Sequence, residues 1–144
     1  MIRFKEFITE QIQILPKDEF FENPYNNREM LHRKDIGGND VVFSANKEKF
    51  DPNHHFLDFT VNRAFTKSLS KPTAGSEPAI YDHVRSAVHS YINHFSPKKV
   101  SFVAIDPRYH QMYGHFAKQI ATKLGGKYQQ YESNSGHIYH KVTF

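Results

Sequence analysis

The chain has no cysteine among its 144 residues. That excludes disulfides, thiolate nucleophiles and sulfur-ligated zinc together, and it suits a reducing compartment. No apolar run approaches the ~18 residues of a membrane span, and the N-terminus lacks the basic-then-apolar pattern of a secretory leader. These absences lead us to expect a soluble, intracellular protein without membrane contact. Also missing are a phosphate-binding glycine loop ending in Lys-Ser/Thr, a nucleophile elbow, and the H-x-T pairs of small phosphoesterases. His140 and Thr143 come nearest to the last, at the wrong spacing and with no second copy.

Acidic residues are scarce at one end. Of 19 Lys and Arg and 15 Asp and Glu, residues 107–144 hold Arg108, Lys118, Lys123, Lys127 and Lys141 against Glu132 alone, so the rest of the chain is neutral. Five tyrosines are interleaved with those cations. A basic, aromatic face for nucleic acid, made by Arg108, Lys118, Lys123 and Lys127, is one reading; an ordinary solvated helix face is the other. Ten histidines invite a metal site, but the spacing opposes it. His89 and His94, like His110 and His115, are five apart on helices, His137 and His140 alternate across a strand, and His54 and His55 are adjacent. We expect no metal.

The length suits one domain that buries about two thirds of its unfolded surface. Residues 39–46 and 54–65 are rich in β-branched and aromatic side chains and read as strands, with Leu57, Phe59 and Val61 on one face and Asp58 and Thr60 on the other. A polar loop spans 66–78. Ser76 as N-cap and Pro78 in the first turn open a helix whose apolar positions run from Ile80 to Phe95. Residues 99–106 are apolar almost throughout, as in a central strand covered on both faces. Asp106 and Pro107 start a second helix, closed by Gly125 and Gly126. "KYQQYES" and "HIYHKVTF", joined by "NSG", form a hairpin. The last strand, at the chain end, offers an edge to a second copy. At the N-terminus, Phe4, Phe7, Ile8, Ile12 and Leu15 recur at helical spacing, so residues 2–15 predict an amphipathic helix ended by Pro16. We expect this helix ahead of a single α/β (α+β) domain over 16–144 with a mixed sheet.

The order from residue 39, strand-strand-helix-strand-helix-strand-strand, resembles the GNAT acetyltransferase fold. The resemblance implies that the loop before the first helix, here "SKPTAGSEP", presents N–H groups to the pyrophosphate of acetyl-CoA through Lys71, Gly75 and Ser76, by the physics of any anion at a helix N-terminus. The segment departs from that pattern: a second glycine is missing, Glu77 is acidic and Pro78 has no donor. The resemblance further implies that Tyr113, in "RYHQMYGHFA", protonates the leaving thiolate. Its spacing with Met112 and Phe116 equally suits core packing. A carboxylate base for the amine would be Asp58 or Asp106, the latter also explained as a helix cap.

The opening "MIRFKEFITE" resembles the capsid-targeting peptide of T-even phage internal head proteins, which a prohead protease cuts after Glu preceded two residues earlier by Ile or Leu. Ile8, Thr9 and Glu10 fit that rule. "FSPKKVSFVAIDPRYHQMYGHFAKQIATKLG" is similar to segments of small phage proteins. This implies a virion-packaged protein, located in the virion interior or the host cytoplasm and acting on a host protein. Three readings therefore stand side by side: a phage protein with a GNAT-like body, an active acetyl-CoA-dependent N-acyltransferase, and a basic nucleic-acid binder.

Overall fold

A computed structural model describes residues 12–62, 77–104 and 110–144. These form a single-domain α+β protein: a seven-stranded mixed sheet with two helices. The strands are β1 (Phe21–Asn23), β2 (Asn26–Ile36), β3 (Asn39–Lys47), β4 (His54–Val61), β5 (Lys99–Ala104), β6 (Lys127–Glu132) and β7 (Ile138–Thr143). Helix α1 (Glu77–Phe95) lies between β4 and β5, and α2 (His110–Leu124) between β5 and β6. The spatial order is β1-β2-β3-β4-β5-β7-β6. Every neighbouring pair is antiparallel except β4 and β5, which are parallel. A parallel pair needs a crossover rather than a hairpin, and α1 lies on that connection.

Both helices pack on the same face. His55 and Leu57 of β4 register with Val100 and Phe102 of β5 and so share a face. On it Tyr91 of α1 is bonded to His55 at 2.7 Å, Tyr113 of α2 stacks on Phe102, and Tyr81 of α1 meets Phe116 of α2 at 5.0 Å. Val41, Phe43, Ala45, Val100, Phe102 and Val142 are at most 1% exposed there. Full burial of a Val or Phe side chain stabilises by roughly 1.5–3 kcal/mol, so this layer is the main source of stability.

Three expectations need correction. The stretch 16–38, to which the sequence assigns no strand, supplies β1 and β2. In β2 only His32 is buried, and charged residues at 28, 29, 33, 34 and 35 hide any apolar alternation. At the N-terminus, residues 1–11, with most of the expected helix and Ile8, Thr9 and Glu10, lie outside the described residues, while Ile12–Pro16 are not helical. They form an extended strap along α1. The N–H groups of Gln13 and Leu15 donate to the hydroxyls of Ser86 and Ser90 at 3.0 and 2.8 Å, and His94 donates to the Leu15 carbonyl at 2.7 Å. Alternate strap residues thus meet serines and a histidine spaced i, i+4, i+8 on α1, and those bonds replace helical ones.

Strand β5 is buried on both faces, as expected of a central strand: Val100 and Phe102 lie under the helices, and Ser101 is buried beneath His54, 2.7 Å away. The final strand is not an edge: β7 pairs with both β5 and β6, and β6 forms the sheet margin. The close of α2 is as expected: Gly125 has φ +73° and the Gly126 N–H reaches the Ala121 carbonyl at 2.9 Å, a C-terminal turn that favours glycine.

Candidate functional site

The parallel ladder between β4 and β5 runs from His54 and Lys99 to Leu57 and Phe102 and then stops, although both strands continue. Asp58 is the first β4 residue beyond that point. Its neighbours Leu57 and Phe59 are buried under the helices, while Asp58 is exposed on the opposite face. Tyr113 comes to the same place from the helix side. Its ring is 2% exposed, stacks on Phe102 at 5.5 Å and meets Phe59 edge-on at 6.1 Å. From there its hydroxyl donates to Asp58 Oδ1 at 2.6 Å. That length is typical of a hydroxyl bonded to an ionised carboxylate. The Phe59 N–H also donates to Oδ1, at 2.7 Å, which orients the carboxylate.

Two of the expected site residues, Tyr113 and Asp58, are therefore brought together from 55 positions apart. Tyr113 is at once core packing and half of a polar pair. Lys71, Gly75, Ser76, Asp106 and Arg108 lie outside the described residues. The expected basic face does not assemble from its other members. The Lys118 ammonium lies 5.5 Å over the Tyr128 ring, toward β6 and β7, whereas Lys123 faces α1 closely enough to disfavour protonation of His89. The two lysines occupy opposite flanks of α2, and Lys127 begins β6.

A second polar cluster was not legible in the sequence. His140, 1% exposed on β7, takes Tyr128 on one nitrogen at 2.8 Å and His110 Nδ1 on the other at 2.9 Å. Burial, with the nearby His110 and Lys118, pushes the His140 imidazole down to about 4, so it is neutral near pH 7. Its ring fits because residue 114 is glycine: a Cβ there would stand 3.1 Å from His140 Cε1. His110, His140 and Tyr128 line a surface cleft of about 260 Å³ together with His115 and Lys118. Helix-only or strand-only spacing cannot reveal a cluster made by residues thirty apart.

Glu48, Asp51 and His54 form a three-residue group with ligand atoms within 4.8 Å of one another. Each member already has a protein partner. His54 is bonded to Glu48 at 2.9 Å and Ser101 at 2.7 Å, and Lys99 neutralises Asp51 at 2.8 Å. Among the described residues, no helix is long and apolar enough to cross a membrane. No family model, curated protein or solved structure matches the chain.

Proposed function

We propose that the protein is a GNAT-like N-acyltransferase that moves an acyl group from a coenzyme A thioester to an amine. The observation that carries this reading is the 2.6 Å bond between Tyr113 and Asp58 at the end of the parallel ladder. A parallel central pair that parts there, with one helix on the crossover and a hairpin closing the sheet, supports it. Lys71, Gly75 and Ser76 are the proposed pyrophosphate donors. The reaction balances on the two described side chains. A neutral amine attacks the thioester carbonyl and forms the C–N bond. Asp58 takes the proton that the nitrogen loses, and Tyr113 gives its own proton to the departing thiolate as the C–S bond breaks. The proton on Asp58 then passes along the existing hydrogen bond to the Tyr113 oxygen, which restores both groups.

Calorimetric titration with acetyl-CoA tests the binding step, and an absence of heat overturns the reading. Given binding, thiol release with an amine panel should fall by about 100-fold or more in Tyr113→Phe and in Asp58→Asn, the scale of a lost general acid or base.

A second reading, a phage protein packaged in the virion and directed at a host protein, is favoured by one observation. The strap that docks on α1 through Gln13 and Leu15 lies just after Glu10 in the chain. Cutting after Glu10 would leave every one of those bonds intact. Mass spectrometry of the protein from purified virions should then find a species beginning at Gln11. Only uncut chain in virions would retire the processing claim.

A further inference from the structure

The cleft of about 260 Å³ beside His140 lies between α2 and the β6–β7 hairpin, and every residue lining it is among the described ones. On α2, His110, Gly114 and Lys118 are spaced i, i+4, i+8 and so form one stripe. Gly114 leaves the middle of that stripe without a side chain, and the His140 ring occupies the space. A series of rings follows. His110 stacks on His140 at 4.8 Å, Tyr128 lies 6.0 Å from His140 with 14° between planes, and the Lys118 ammonium stands 5.5 Å over Tyr128.

No carboxylate lines this cleft. Elsewhere cations are matched: Arg33 pairs with Asp40, Arg85 with Asp82 and Lys99 with Asp51. Among the described residues, Lys118, His110 and His115 have no acidic partner. Burial, then His110 and Lys118, keep a proton off His140 near pH 7.

A neutral His140 has one N–H to give, and either direction of the chain prepares His110 for an anion. Where the Tyr128 hydroxyl donates to His140 Nδ1, the His140 proton is on Nε2 and goes to His110 Nδ1, which leaves His110 with its own hydrogen on Nε2. Where the chain runs the other way, His110 donates from Nδ1, and a negative charge in the cleft favours a second proton on Nε2. His110 Nε2 has no bonded partner among the described residues. A negative ligand therefore meets an N–H there in both arrangements.

The cleft is smaller than the roughly 300–1,000 Å³ of drug-sized pockets. Its cations are gathered over about two turns of one helix, which suits a single compact anion with several oxygens. A polymer backbone needs cations along a track, and Lys118 and Lys123 lie on opposite flanks of α2.

We propose that this cleft binds the phosphate group of a small phosphomonoester through His110, His115 and Lys118, with His140 and Tyr128 as positioning residues for His110. The site is separate from the Tyr113–Asp58 pair and does not depend on acyl transfer.

The test titrates the full chain with ethyl phosphate, dimethyl phosphate and a single-stranded deoxyoligonucleotide, following the imidazole nitrogen shifts of His110 and His140. Ethyl phosphate should bind saturably and move both rings. Dimethyl phosphate, with one charge fewer, should bind about ten-fold more weakly or worse. Lys118→Gln and His110→Gln should each weaken ethyl phosphate about ten-fold, the scale of one lost charge-assisted hydrogen bond. Lys118 is exposed, so its variant reads binding rather than folding. Tyr128→Phe keeps the ring and removes the hydroxyl; it should shift the His140 nitrogens in the free protein and weaken ethyl phosphate about three-fold or more. Lys123→Gln removes the same charge from the other flank of α2 and should leave the affinity unchanged. No saturable binding, equal affinity for the two phosphates, or equal losses in Lys118→Gln and Lys123→Gln overturns the proposal. Tighter binding of the oligonucleotide, falling steeply with salt, overturns it in favour of a nucleic-acid surface.

Discussion

The two faces of the sheet differ in composition. The helix-covered face is filled by Val41, Phe43, Leu57, Val100, Phe102 and Val142, all nearly inaccessible to solvent. The opposite face of the same strands, over which no helix lies among the described residues, carries Phe56, Asp58, Ser101 and Tyr139, a mixture of rings and polar groups. Strand alternation lets one segment serve both: in β4, Leu57 and Phe59 fill the core while Asp58 between them faces the other way and accepts the Tyr113 hydroxyl. The two faces are linked where the parallel ladder stops and the Tyr113 hydroxyl reaches Asp58.

Acid should break the covered face first, and this is the largest effect expected. Burial pushes His83, His89 and His140 each down to about 4, against an ordinary value of 6.5. The unfolded chain therefore binds more protons than the folded one between those values. Stability is fully present above about pH 6.5 and is lost as pH falls toward 4, with each histidine costing up to about 3 kcal/mol. Urea unfolding midpoints measured from pH 7.5 to 4 should fall steeply through that window. A flat profile would mean that these rings are solvated.

Next in size is the contrast between faces. Phe102→Ala removes a ring that supports both Tyr113 and Phe116 and should cost about 3–5 kcal/mol in chemical denaturation. Tyr139→Ala, on the opposite face, should cost under about 2 kcal/mol, the scale of aromatic pair contacts. Equal losses would erase the distinction drawn between the faces.

The smallest effect sharpens the picture at α2. Gly114→Ala places a methyl group 3.1 Å from the His140 ring and should cost about 1–3 kcal/mol by crowding. Imidazole nitrogen shifts should report loss of the Tyr128–His140–His110 chain, with the Tyr113–Asp58 pair retained.

Much of the architecture was legible before any coordinates. The strands at 39 and 54, the α1 periodicity ending at Phe95, the Gly125 stop and the closing hairpin all follow from local patterns of apolar, turn and capping residues. What escaped shares one physical cause. Strand β2 is charged along most of its length, and the Ile12–Leu15 strap has helical spacing in sequence yet donates its N–H groups to Ser86 and Ser90. Each is organised by a distant partner rather than by its own pattern.

The same division governs the site. Sequence by itself determined that Asp58 faces away from Leu57 and Phe59, because alternation along a strand is a local property, and that Tyr113 lies on an amphipathic helix. Only the tertiary structure decided that the Tyr113 hydroxyl meets Asp58, that His140 meets His110 and Tyr128, and that both helices share one face. Those relations depend on where the parallel ladder ends and how α2 crosses the sheet. Packing between residues far apart in the chain sets both, and no local period encodes them.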